Sequence, residues 1–186
     1  GIFIEPALVN KLYRRNLFEG ITEEEGLDLT IKINEDLLMN YYLFKKANSA
    51  VFYDRCYYHY IIRKNSASTA EINKHKLEDP HKVLKILCRE TEGEPELNHI
   101  VEERYVRQLI GIATMSLSAN PNLIRPYRLK ARKELRKGLK RYRDISAFSK
   151  KLKILVVWAA IFPKLYGIVH TLYAHITGID KKYKVK

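Results

Sequence analysis

The hydrophobic positions of this chain change rhythm about a third of the way along. In the first seventy residues they come as short runs: Val9 to Tyr13, Ala50 to Tyr53 and Tyr57 to Ile62. These runs are rich in aromatic and β-branched residues and are bounded by polar or turn-forming positions, which predicts strands. The imperfect alternation of Tyr57 to Ile62 suits a strand covered on both faces. Between them, Leu37, Leu38, Tyr41 and Phe44 fall at i, i+1, i+4 and i+7 and predict a helix from Glu35 to about Lys46. Asn34 stands where a side chain would cap its first turn, and Lys45-Lys46 stand at the pole that favours cations. From Glu71 onward the spacing is helical. Glu71 to Arg89 reads as a helix interrupted at Pro80, and Glu90 to Glu96 as a loop. Leu97 to Ser118 follows as a long helix with Ile100, Val101, Val106, Leu109, Ile110, Ala113 and Leu117 on its apolar side. After a turn at Asn120-Pro121-Asn122 comes a basic helix from Leu123 to Arg143. An apolar stretch follows from Ile154, is broken at Pro163-Lys164 and resumes from Leu165 to Ile176. The expected fold is therefore α/β over residues 1–70, followed by an all-α extension over 71–124 and a basic amphipathic helical tail over 125–186.

Charge sharpens this division. Residues 1–70 carry nine basic and nine acidic side chains, and residues 71–124 carry seven and nine. Residues 125–186 carry eighteen and three, so the net +13 of the chain belongs to its tail. Such a tail points to an anionic partner. The ten apolar residues from Ile154 to Pro163 are too few to cross a bilayer, which takes roughly 20. Trp158, Tyr166 and Tyr173 beside apolar residues and flanking lysines suit a segment lying in a membrane interface, or equally a helix pair packed on the preceding helices. Cys56 and Cys88 form no C-x-x-C and read as two reduced thiols, with a single disulfide as the alternative. Gly1 and the apolar run after it show no charged leader or cleavage site, and the chain reads as beginning within a domain.

The chemistry centres on Glu35-Asp36. Acidic side chains in a first turn are favoured by the helix dipole and kept ionised, and that alone is a sufficient structural reason for them. An ionised carboxylate fixed at a helix start also meets the needs of a general base. Neighbouring helix residues point about 100° apart, so one of the two would face any given site. His59 falls in mid-run with no metal-ligand spacing around it and reads as a packed aromatic.

Three short motifs surround the pair in a fixed order. Asn10-Lys11-Leu12-Tyr13-Arg14-Arg15 comes first, then Gly26 and the Glu35-Asp36 helix start, then Tyr58-His59-Tyr60-Ile61-Ile62-Arg63 with Ser66 beyond it. Over about residues 1–70 this order resembles the C-terminal half of a family 2 glycosyltransferase of the GT-A fold, most closely the bacterial type that builds capsular and other surface polysaccharides. The insert between Gly26 and Glu35 is longer than that family's usual spacing. The resemblance implies an inverting transfer of a sugar from a nucleotide diphosphate sugar to a hydroxyl of a glycan or lipid-linked acceptor. Asp36 would be the base, with Glu35 as second candidate. Arg63 and Ser66 would sit in a loop closing over the donor phosphates, and Lys11 would meet donor phosphate or acceptor hydroxyl, or else be a solvated lysine. A guanidinium beside hydroxyls can bind phosphate through paired hydrogen bonds.

The resemblance also implies a divalent metal, Mg or Mn, gripping the diphosphate. Its Asp-x-Asp ligands are missing from this sequence, as is any Gly-rich phosphate loop. The donor-binding half would therefore lie outside these residues, and the chain would be inactive alone. It would act in the cytoplasm, held on the inner face of the membrane by residues 125–186. The competing expectation is a membrane- or nucleic-acid-binding module without catalysis, of which the nucleic-acid form lacks any recognised motif.

Overall fold

The computed structural model describes residues 6–55, 57–59, 61, 70–117 and 120–177. Six α-helices follow in order: α1 (Glu35–Lys46), α2 (Lys74–Glu90), α3 (Pro95–Thr114), α4 (Pro121–Asp144), α5 (Lys150–Ile161) and α6 (Pro163–Thr177). Three short 3-10 turns, Leu8–Asn10, Arg15–Phe18 and Ile21–Glu23, precede them.

Helix α3 is the centre. It packs on α2 and α4 along most of its length and on α5 and α6 near its end. Val101, Tyr105, Val106, Leu109, Ile110, Ile112 and Ala113 are all buried, so nearly every turn gives one or two apolar groups to the core. Pro95 at the first helical position supplies a preset φ where no amide partner is needed. The α2–α3 connection is only four residues and is held from inside. Thr91 Oγ1 donates to the Leu87 carbonyl at 2.8 Å, and Asn98 Nδ2 donates both to the Cys88 carbonyl at 2.9 Å and to Thr91 Oγ1 at 3.0 Å. Cys88 beside it is a free, half-buried thiol whose pKa is pushed up by burial; Cys56 lies outside the described residues.

Pro80 does not interrupt α2 as its sequence suggested. A mid-helix proline costs about 3 kcal/mol. The cost is offset here because Pro80 is itself buried, along with Leu77, Val83, Leu84 and Leu87. Asp79, next to it and also buried, accepts from the Lys32 backbone amide at 2.9 Å and sits 3.0 Å from His75 Nδ1. This carboxylate pins the 24–33 segment onto α2, with Ile31 and Ile21 entering the core.

The α/β expectation is overturned: among the described residues the fold is all-α, with no strand. Val9 to Tyr13 forms a 3-10 turn and then irregular chain, with Leu12 fully exposed. Ala50 to Tyr53 is irregular and exposed (Val51 93%), as are Tyr57, Tyr58 and His59. Residues 60 and 62 of the third run are outside the described set. The physical reason is that β-propensity expresses side-chain packing on a pleated sheet. A segment with no neighbouring strand to take its amides and carbonyls gains nothing by extending. The α1 helix has the bounds expected of it, but its buried face is Leu38, Asn40, Tyr42 and Leu43, whereas Phe44 is exposed and Leu37 and Tyr41 only partly covered. The later helices form close to their expected positions, α3 ending four residues early and α4 starting two earlier.

Two close contacts show how tightly the front half is packed. A Cβ on buried Gly26 would lie 1.9 Å from Tyr42 Oη and 3.1 Å from Ile86 Cγ2 and Glu90 Oε1. The Tyr42 hydroxyl is buried without a hydrogen-bond partner among the described residues. Burial, with Glu90 adding to it, pushes its pKa up to about 12. Gly26→Ala is therefore expected to cost about 1–3 kcal/mol in urea unfolding, and Tyr42→Phe to restore most of that loss in the double variant. A non-additivity near zero would refute the contact.

A polar cluster joins α2, α3 and α4. Tyr105 donates its hydroxyl to Glu134, His81 stacks on the Tyr105 ring at 5.1 Å, and His81 Nε2 and Lys85 Nζ each lie 3.7 Å from Glu134. Burial holds the His81 pKa below its ordinary 6.5, against the smaller opposing pull of Glu134. Its Nδ1 is buried with no partner among the described residues, so a second proton would sit there unbonded. A lowered folded pKa means the unfolded chain takes up the proton first. This contribution is present above the ordinary value and is lost as pH falls towards the folded one. The melting temperature should drop between about pH 7.5 and 5.5, and drop less in His81→Gln. Parallel curves for the two proteins would count against it.

Candidate functional site

The start of α1 is built from both sides of the chain. Asn34 has φ 66°, the left-handed region, alone among non-glycine residues in the described set. Asparagine tolerates this conformation better than most residues. Its carbonyl accepts from the amides of Leu37 at 3.1 Å and Leu38 at 3.4 Å, but its side chain makes no capping bond. The expected side-chain cap is thus replaced by a backbone turn. Glu35 and Asp36 occupy the first turn of the helix, with Glu35 exposed and Asp36 half-buried.

What lies beside Asp36 was not read from the sequence. One turn on, Asn40 is buried and fully used: its Nδ2 donates to the Asp36 carbonyl at 2.8 Å and to the Pro6 carbonyl, and its Oδ1 accepts from the Tyr13 hydroxyl at 2.5 Å. This one side chain fastens the 6–13 segment to α1. It also sets Tyr13, from the first motif, beside the first turn of the helix. The Tyr13 hydroxyl pKa is raised, by burial first and then by the negative charge of Asp36. The signal that would have revealed the arrangement is the i, i+4 spacing of Asp36 and Asn40, which puts them on one helix face.

Among the described residues, neither Glu35 nor Asp36 takes a hydrogen bond or ion pair through its carboxylate. Both stand at the positive pole of the α1 dipole, which favours negative charge. Lys11 is directed elsewhere, donating to the Ala7 carbonyl and to Asn10 Oδ1, both at 2.7 Å. Arg63 and Ser66 lie outside the described residues, and the first two motifs alone are seen to meet. His59 is exposed rather than packed in a strand. No group of three or more His, Cys, Asp or Glu side chains among the described residues is placed to hold a metal ion.

The other feature of note is a basin of about 980 Å³ formed by α3, α4, α5, α6 and the segment after α3. It contains none of the residues singled out from the motifs. Its walls are mainly apolar, with Arg107, Arg128 and Lys164 as its cations. No described helix is long and apolar enough to cross a membrane. Comparison of the chain with family models, with curated proteins and with solved structures returned no match.

The left-handed turn before the acidic pair carries its own test. Asn34→Gly should leave stability unchanged or slightly higher, whereas Asn34→Val should cost about 1–2 kcal/mol in denaturant unfolding. Equal midpoints for the two variants would show that the turn is not held as described.

Proposed function

We propose that this chain carries the acceptor side of an inverting glycosyltransferase, with Asp36 as the general base. The substrates on this reading are a nucleotide diphosphate sugar and a hydroxyl of a glycan or lipid-linked acceptor, in cell-surface polysaccharide synthesis. The observation that supports it most is the first turn of α1, where a half-buried carboxylate without a partner among the described residues is set at a helix start. Tyr13 and Asn40, from two sequence-distant segments, lie beside it. A base must stay ionised until the acceptor proton reaches it, and must not move. A helix start favours negative charge, and Asn40, bonded to the Asp36 main-chain carbonyl, fixes the backbone that carries the carboxylate.

In the reaction, Asp36 takes the proton of the acceptor hydroxyl as that oxygen attacks the anomeric carbon from the face opposite the diphosphate. The bond to the diphosphate breaks with its electron pair, and the configuration at carbon inverts. Tyr13 is a positioning residue on this reading, fixing the neighbourhood of Asp36 through Asn40. Binding of the donor phosphates falls to Arg63, Ser66 and groups outside these 186 residues, because the sequence holds no Asp-x-Asp.

The test belongs in the complete polypeptide that supplies the donor-binding part. Asp36→Asn keeps size and polarity and removes the base. Turnover should fall at least about 100-fold with the affinities for donor and acceptor unchanged. Glu35→Gln should have a far smaller effect. Full activity of Asp36→Asn would remove Asp36 from the chemistry, and a loss confined to Glu35→Gln would transfer the role there.

A further inference from the structure

Helix α6 leaves an apolar stripe uncovered, and the last residue of α5 is exposed beside the break. Ile161, Leu165, Ile168, Leu172 and Ile176 follow at spacings of three and four, and all are exposed, Ile176 by 82%. That periodicity puts the last four on one side of α6, with Ile161 just across the break at Phe162. A stripe of this extent on a protein surface marks a contact. Ile168 and Leu172 also line the basin of about 980 Å³, so the stripe and the basin are continuous.

The basin is unequally charged. Arg107 is engaged by Glu103, through bonds of 2.8 and 2.6 Å. Arg128 and Lys164 have no ion pair among the described residues, and Arg128 Nε is buried without an acceptor. The neighbouring arginines of α4 show what Arg128 lacks. One turn on, Arg132 Nε donates to the Ala113 carbonyl at 3.0 Å, and Arg136 Nε one turn later donates to the Ala160 carbonyl at 2.8 Å. An apolar-walled basin with two uncommitted cations is complementary to a molecule with an anionic head and hydrocarbon chains.

We infer that this face docks on a bilayer containing anionic lipid, with a lipid phosphate entering the basin at Arg128 and Lys164 and the α6 stripe lying among the acyl chains. Charge complementarity selects the occupant. Helix α4 carries ten basic residues against two acidic ones, and Lys150, Lys151 and Lys153 open α5. A second copy of the chain would set like charges against each other. A nucleic acid would satisfy the cations and leave the stripe in water. The inference uses none of the residues on which the transferase reading rests, and each can fail alone.

The test uses the full chain with vesicles of phosphatidylcholine, or of phosphatidylcholine and phosphatidylglycerol in equal parts. Trp158, the one tryptophan, is exposed on α5 one turn before Ile161 and reports insertion by a blue shift of its emission. Flotation with the anionic vesicles and a blue shift are expected, with little binding to the neutral ones. Lys164→Glu should weaken binding at least about fivefold, and Arg128→Gln by a similar factor. Ile168→Asp should abolish the emission shift. Both Lys164 and Ile168 are exposed, so these variants keep the fold even if Arg128→Gln does not, and circular dichroism checks this. Failure to bind anionic vesicles, an unaltered shift in Ile168→Asp, or RNA binding lost in Lys164→Glu with no vesicle binding would each overturn the inference. Inorganic phosphate that displaced the chain from vesicles at equal ionic strength would assign the basin to a free anion instead.

Discussion

A helix bearing ten cations has to be packed into an apolar core, and the C-terminal half of the molecule is arranged around that constraint. Helix α4 buries Ile124, Ala131, Leu135 and Tyr142 on one side and leaves most of its charge in water. Buried Tyr142 packs back over Gly138, where a Cβ would lie 2.3 Å from its ring. For the arginines at the border of the two faces, a partly buried guanidinium without acceptors is costly. Arg132 and Arg136 resolve this by donating to carbonyls near the C-terminal ends of α3 and α5. Those carbonyls have no partner within their own helices and sit at the negative pole of the dipole. One set of bonds thus gives each of these two cations an acceptor, with Arg132 Nη2 still buried without one among the described residues, and orients two neighbouring helices. Burial and the repulsion of Arg128 and Arg136 pull the Arg132 pKa below its ordinary value, which is the cost of the row.

The front of the molecule relies on buried neutral and acidic groups instead. Asp79 receives the Lys32 amide, and Asn40 binds Pro6, Tyr13 and the Asp36 carbonyl. Lys46 donates to the Glu19 carbonyl, and the Tyr41 hydroxyl to that of Glu90 at 3.2 Å. Segments with little regular structure of their own are held to α1 and α2 by single side chains, each with several partners. The acidic pair at the start of α1 acquires its neighbours this way.

The two ends of the molecule therefore offer different chemistry. At one, a carboxylate without a partner among the described residues stands at a helix start near a tyrosine. At the other, uncommitted cations border apolar surface. If both readings hold, a sugar would be moved to an acceptor by an enzyme already resting on the surface where lipid-linked acceptors are found.

Much of this was legible along the chain. The bounds of α1, the break between α5 and α6, five of the buried positions of α3 and the basic character of α4 follow from spacing and composition, because helix hydrogen bonds are local and an amphipathic period of 3.6 is written residue by residue, while Ile100, expected inside, is exposed and Tyr105 and Ile112 are buried instead. The acidic pair could be placed in the first turn of α1 for the same reason. The strands expected at 9–13 and 50–53 could not be judged in this way, since a strand exists only through partners distant in sequence. The phase of α1 was misread because its inward side is set by what covers it: Asn40 faces in to meet Pro6 and Tyr13, and Phe44 faces out. The pairing of Arg132 and Arg136 with helix ends, the unmet Arg128 and the basin beside α6 are likewise products of packing. Sequence by itself determined which segments are helical and where charge accumulates; only the tertiary structure decided which polar groups are satisfied, because each such bond joins residues that the chain keeps far apart.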